Sequence, residues 1–137
     1  MKVKNRFWVM KNLPEGNNFQ NALEIREESE LKIPEGFFAT KNLFLSMDAG
    51  TRMYMTDRKD SYQPPIPIGE KLMGTVLGEI VESNHPDYRV GERLRSYGQW
   101  SDFSVVDPNL MYPSKVDDSE IDLVNYIGIY GANGWTA

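Results

Sequence analysis

Hydrophobic and polar residues alternate in short runs along most of this chain, and the runs predict strands. "RFWVMK" near Arg6, "FFATKNLFLSM" from Phe37, "LMGTVLGEIVES" from Leu72, "ERLRSYG" from Glu92 and "SDFSVV" from Ser101 all have this character. Val, Ile, Phe, Tyr and Thr fill them, and Gly, Pro, Asn and Asp separate them. In "GTVLGEIVES" a period of two puts Val76, Gly78, Ile80 and Glu82 on one face and Leu77, Glu79 and Val81 on the other. Gly74 and Gly78 share the first face, which predicts a sharply coiled strand at a barrel corner.

Helical spacing is scarce. "DAGTRMYM" predicts a turn or two, and "DSEIDLVNYIGIY" predicts a helix. In the latter Ser119 is positioned to cap, Asp122 falls at the capping-box position, and Ile121, Val124 and Ile127 form an apolar stripe. Between strands, "DRKDSYQPPIPIG" from Asp57 to Gly69 carries three prolines and predicts a long loop bordering a functional cleft. A polyproline docking segment is the other reading of "SYQPP". Many short strands, few helices and no repeats predict a mainly β domain, a small barrel or sandwich with a late helix.

Composition narrows the function classes. Fifteen Lys and Arg stand against 20 Asp and Glu, a net charge of −5 with no basic run, which argues against nucleic acid. The chain has no cysteine, so disulfides, a Cys nucleophile and thiolate-bound zinc are excluded. "MKVKNRFWVMKN" lacks the apolar core of a signal peptide, and no stretch reaches membrane-spanning length, so a cytoplasmic location is expected. The one histidine, His85, lies in the "SNHPDY" turn, where a surface or capping role is expected; a zinc site, which needs three protein ligands, is not. Asp48 and Arg52 are four apart, the spacing of an ion pair along a helical turn. Trp8, Trp100 and Trp135 read as packing residues, with Trp135 the least certain to find a core.

The last residues, "IGIYGANGWTA", space Gly128, Gly131 and Gly134 by threes. A P-loop needs Lys and Ser/Thr after its last glycine, and Trp135 stands there instead. A dinucleotide fingerprint needs G-x-G-x-x-G between a buried strand and a helix, and the spacing differs. A helix C-cap followed by a turn fits these residues.

Taken together, "NRFWVMKNLPEGN", "NLFLSMDAGTRMYM", "SYQPPIPIGEKLMGTVLGEIVESNHPDYRVGERL" and "YIGIYGANGWTA" resemble the N-terminal half of a medium-chain dehydrogenase/reductase. The nearest branch is the zinc-free, NADPH-dependent alkenal and prostaglandin/leukotriene reductases. The resemblance implies a GroES-like β-barrel over residues 1–118. Residues 119–137 would then be a connecting helix and hinge toward a Rossmann domain that these residues do not contain. It implies NADPH as cofactor, held mainly by that other domain, an enal or enone as substrate, no metal, and a possible homodimer of the whole protein. The family's hinge reads G-M-P-G-L-T-A. Thr136 matches the threonine beside the nicotinamide, and Ala132 replaces a methionine that packs near the cofactor. The branch's "DPYMR" is matched by Asp48, Ala49, Gly50, Thr51 and Arg52. Gly50 stands where a tyrosine lines the substrate pocket, leaving the pocket wider or filled by Tyr54 or Tyr62. In relatives a Rossmann-domain tyrosine and the cofactor ribose stabilise the developing oxyanion, so no catalytic residue is expected here and the chain alone is expected to be inactive. A non-enzymatic binding or scaffold barrel is the alternative, and a co-chaperonin ring a weaker one.

Overall fold

The computed structural model describes residues 1–60, 64–117 and 119–136. Among the described residues it contains seven strands, β1 (Lys2–Met10), β2 (Leu23–Glu30), β3 (Phe38–Leu45), β4 (Met73–Ser83), β5 (Arg93–Gln99), β6 (Phe103–Val106) and β7 (Ser114–Lys115). Two short helices, α1 (Ala49–Tyr54) and α2 (Ala132–Thr136), and a 3-10 turn at Leu123–Tyr126 complete it. β1 and β2 pair antiparallel, and the other five strands form an antiparallel sheet in the order β6-β3-β4-β5-β7.

The sheets do not close into one continuous ladder. They are stitched at two isolated bridges, Phe7 with Ser101 and Val9 with Lys71. Backbone bonds complete the seam: Trp8 N–H donates to the Trp100 carbonyl at 2.9 Å, and Trp100 N–H donates to the Leu72 carbonyl at 2.8 Å. The mainly β expectation therefore holds, with the two sheets joined by single bridges and not closed into a barrel ladder.

All five runs expected to be strands are strands. β2 was not anticipated, because "LEIREESE" offers only Leu23 and Ile25 as apolar positions and glutamate disfavours strands. Its register is set by β1, and it forms an outer edge, where charged side chains discourage pairing with another chain. Three of its glutamates are paired: Glu24 with Arg26 at 2.5 Å, Glu27 with Lys4 at 3.1 Å and Glu28 with Lys71 at 2.5 Å.

Two apolar clusters fill the interior. Phe38, Ile80, Leu94, Val106 and Met111 form one, with the Tyr88 ring stacked on Phe38 at 4.5 Å. Met10, Met55, Leu72 and Trp100 form the other, beneath α1. Along β4, Gly74, Val76, Gly78 and Ile80 are buried, as the alternation implies, and Leu77 is buried as well. The two glycines mark close approaches. A β-carbon on Gly78 would lie 2.9 Å from the Lys41 carbonyl oxygen, and one on Gly74 would lie 2.7 Å from Trp100 Nε1.

The late helix differs from expectation. Asp122, not Ser119, precedes the helical residues, and only the 3-10 turn Leu123–Tyr126 forms. The Ser119 N–H instead donates to Asp117 Oδ1 at 2.9 Å, a local turn that competes with helix initiation. Val124 stays 47% exposed, so the apolar stripe gains little by extending a helix there. Beyond it, α2 lies where a turn was expected.

Candidate active-site clefts

The path to α1 begins with a bulge in β3. Asn42 pairs with Gly78 and Phe44 with Leu77, so one extra residue is inserted opposite β4. The Asn42 amide holds this bend, donating to the Gln99 and Ser101 carbonyls at 3.0 and 2.9 Å and to Ser104 Oγ at 2.9 Å. The strand then leaves the sheet through Ser46, whose N–H donates to the Thr75 carbonyl at 2.8 Å. Ser46 Oγ donates to Asp48 Oδ1 at 2.9 Å, which orients the residue preceding α1.

Asp48 is the N-cap residue of α1, Gly50 lies in its first turn, and Arg52 and Tyr54 lie toward its end. The Asp48–Arg52 ion pair expected from spacing does not form. Arg52 donates to the carbonyls of Met55 at 3.0 Å, Gly16 at 3.0 Å and Pro14 at 3.4 Å, which ties α1 to the loop after β1. The guanidinium also lies 5.8 Å from the Phe19 ring centroid. Around it opens a cleft of about 540 Å³ lined by Gly16, Asn17, Ala49, Arg52, Met53, Thr56, Arg58 and Asp60. At its rim Arg58 binds Asp60 through two bonds of 2.9 and 2.7 Å, and its donors hold that carboxyl down at about 2.

Ala132 belongs to a second cleft, of about 390 Å³, on the outward face of β4 and β5. Its lining is Thr75, Arg95, Ser96, Tyr97 and Tyr112 on one side and Gly131, Ala132 and Trp135 on the other. Tyr112 is 79% exposed and holds φ at +47°, a left-handed conformation unusual for an aromatic residue. The expected site residues thus fall in two places. Arg52 lines the first cleft and Ala132 the second, with Thr75 between them through its bond to Ser46. Tyr62 and the Thr136 side chain lie outside what the structure describes.

Sequence reasoning did not single out Arg95, Tyr97 or Tyr112. The signal for the first two was the alternation of "ERLRSYG", which turns Arg95 and Tyr97 away from buried Leu94 and Ser96. Among the described residues no three His, Cys, Asp or Glu side chains converge as a metal ligand set. His85 accepts the Asp87 N–H at Nδ1 at 3.1 Å and meets Tyr88 edge-on, the turn-capping role expected of it. Of the tryptophans, Trp100 is 6% exposed, Trp8 37% and Trp135 85%, so only Trp100 is a core residue.

Residues 6–113 match the family model described as the N-terminal domain of oxidoreductase. The chain belongs to that family. It is 31% identical over 136 residues to NADPH-dependent curcumin reductase of Escherichia coli (strain K12), covering 99% of this chain and 39% of the relative. It is 30% identical to 2-alkenal reductase (NADP(+)-dependent) of Nicotiana tabacum, covering 99% of this chain and 40% of that protein. The chain therefore spans about two fifths of the length of these curated relatives. The crystal structure of CurA from Vibrio vulnificus superposes with a TM-score of 0.84 at 26% identity, covering 96% of this chain and 38% of CurA. That likeness agrees with the GroES-like, mainly β architecture.

Proposed function

We propose that this chain is the substrate-side part of a zinc-independent, NADPH-dependent oxidoreductase that reduces the C=C bond of α,β-unsaturated aldehydes or ketones. In this reading residues 1–118 form the catalytic barrel, residues 119–137 form the connection to a cofactor-binding domain, and the whole protein is cytoplasmic and a homodimer. The observation that carries the reading is the alignment of 99% of the chain with two reductases whose names specify NADPH or NADP(+). No described helix is long and apolar enough to cross a membrane.

The donor set fits the nicotinamide end of the cofactor and not its phosphates. The second cleft is bounded on the tail side by Gly131 and Ala132, which carry no side chain beyond a β-carbon, and by the Trp135 ring, so a flat ring can approach the backbone beside an aromatic face. Among its described lining residues Arg95 is the only basic one, and a single guanidinium is not the cationic cradle that a diphosphate needs. When bound, NADPH supplies the hydride for the β-carbon of the substrate. Ala132 and Thr136 would hold the ring, and the α1 segment with Asp48, Gly50, Arg52, Tyr54 and Tyr62 would line the substrate pocket.

Reduction of a conjugated carbonyl builds negative charge on oxygen, which must be met by hydrogen-bond donors in a site sheltered from water. Arg52 has its donors turned to three carbonyls, so its role here is to hold α1 against the Gly16 loop rather than to meet that charge. We therefore assign no catalytic acid to these residues. The test is NADPH oxidation with a series of alkenals by the complete polypeptide that carries this chain, beside an NADPH titration of the 137 residues alone. Turnover by the former and no saturable binding by the latter are expected. Absence of turnover with every enal and enone would remove the reading, and saturable binding by the 137 residues would overturn the division of labour.

A further inference from the structure

Arg95 reaches from β5 to the tail side of the second cleft. Arg95 Nη1 donates to the Tyr126 carbonyl at 3.4 Å and to the Tyr130 carbonyl at 3.3 Å. These carbonyls lie at the end of the 3-10 turn and just ahead of Gly131, which opens the segment carrying Ala132. Among the described residues Arg95 forms no ion pair, unlike its neighbour in alternation Arg93, which binds Glu79 at 3.0 Å. Arg95 stands on a strand held on both sides, opposite Leu77 of β4 and Ser114 of β7, so its position does not depend on the tail.

The tail itself is wound to meet this anchor. Gly131 N–H donates to the Gly128 carbonyl at 3.0 Å, and Gly134 N–H donates to the Gly131 carbonyl at 3.1 Å. Each bond spans three residues, as in a 3-10 turn, and the chain then continues into α2, where Trp135 N–H donates to the Gly131 carbonyl at 3.3 Å. A β-carbon on Gly131 would sit 2.7 Å from the Ile127 carbonyl oxygen, and one on Gly134 would run into the Ile129 carbonyl. The spacing of threes, which matches neither phosphate-binding motif, is the requirement of a tightly wound segment with no room for side chains on one edge.

We infer that Arg95 is a positioning residue: it clamps this glycine-wound tail onto β5 and so sets the gap in which Ala132 faces Thr75 and Tyr97. The functional half of this inference rests on the reductase reading; the clamp itself does not. A single guanidinium nitrogen serves both carbonyls, so the ammonium of a lysine can take its place, and an isosteric apolar chain cannot.

The test compares Arg95→Met and Arg95→Lys. In the 137-residue chain, amide hydrogen exchange of Gly131, Gly134 and Trp135 should speed up about tenfold in Arg95→Met while the amides pairing β4 with β5 keep their protection. Arg95→Lys should recover most of that protection. Equal exchange in Arg95→Met and the parent overturns the clamp. In the complete polypeptide, Arg95→Met should raise KM for NADPH several-fold more than it lowers kcat, again with recovery in Arg95→Lys. A loosened tail with an unchanged KM overturns the positioning role. If the parent oxidises no NADPH, the reductase reading falls, and with it the positioning role, while the exchange experiment still decides the clamp.

Discussion

Replacing Gly78 with alanine tests how the bend of β3 over β4 is built. The added β-carbon would lie 2.9 Å from the Lys41 carbonyl oxygen, 3.0 Å from Thr40 Cβ and 3.2 Å from Thr40 Oγ1. The nearest obstacle is backbone of a paired strand, one step from the bulge that directs the chain toward Ser46 and α1. It cannot rotate away, so the strands must part by several tenths of an ångström. Overpacking of this kind costs about 1–3 kcal/mol. Loss of glycine's freedom in the unfolded chain offsets about 0.4–1 kcal/mol of that. The net expectation is a destabilisation of about 1–2 kcal/mol.

For 137 residues an unfolding entropy of about 2.1 cal/mol/K per residue makes each kcal/mol worth about 3.5 °C. Gly78→Ala should therefore lower Tm by about 3–7 °C, read by far-UV circular dichroism, with an unchanged urea m-value. Gly50→Ala is the internal control. It lies in α1, and a β-carbon there meets nothing within 4 Å. Relief of glycine's entropy should raise stability there by about 0.4–1 kcal/mol. If Gly78→Ala raised Tm as Gly50→Ala does, the close approach would not be what selects glycine in β4, and the account of the bend would be wrong.

Three further outcomes follow from the same structure. Phe38→Ala removes a fully buried ring stacked on Tyr88 and should cost about 3–5 kcal/mol, measured by urea denaturation. Asn5→Ala strips the acceptor from the Phe103 N–H, bound at 2.8 Å, and the partner of Glu28, so thermal melts should show a loss of about 1–3 kcal/mol. Asp102 is held below its ordinary pKa, chiefly by the hydrogen bond from Arg6, so its pairing stabilises the fold above the unfolded carboxylate pKa of about 3.9 and fades as pH falls through the lower folded value. Asp102→Asn should accordingly cost up to about 1 kcal/mol at pH 7, and the gap between the two melts should narrow as pH falls below the unfolded carboxylate pKa of about 3.9.

The parts of this molecule legible in the sequence are those where side-chain pattern and backbone state agree. β4 announced itself because burial on one face follows its period of two. The turn at His85 announced itself because Asn, Pro and Asp leave few backbone choices. β2 was not legible: its register comes from β1, and its glutamates reflect an exposed edge rather than a strand propensity. The late helix failed for the opposite reason. Its local pattern favours a helix, yet the Asp117–Ser119 turn and the exposure of Val124 and Ile129 leave little apolar burial to reward one. For the candidate site, α1 and the tail were both marked by residue type. Their separation into two clefts was not, since it depends on the Asn42 bulge, a contact across 57 and more residues.

The same logic decides what the exposed aromatics around the second cleft mean. Tyr97, Tyr112 and Trp135 are 38%, 79% and 85% exposed, and all three border the gap that Arg95 holds open. A surface of rings beside a strained Tyr112 is costly to leave in water, and strain of this kind persists where the surroundings enforce it. β5 enforces it here, because Tyr97 N–H donates to the Met111 carbonyl at 2.9 Å and fixes the residue before Tyr112. The aromatic side of the cleft is thus tied to β5 through Tyr97, and the glycine side is tied to β5 through Arg95. Both walls hang from a single strand. A substitution that moves β5, such as an alanine at Gly98 pressing on Val76, should therefore widen or close the cleft as a unit rather than loosen one wall.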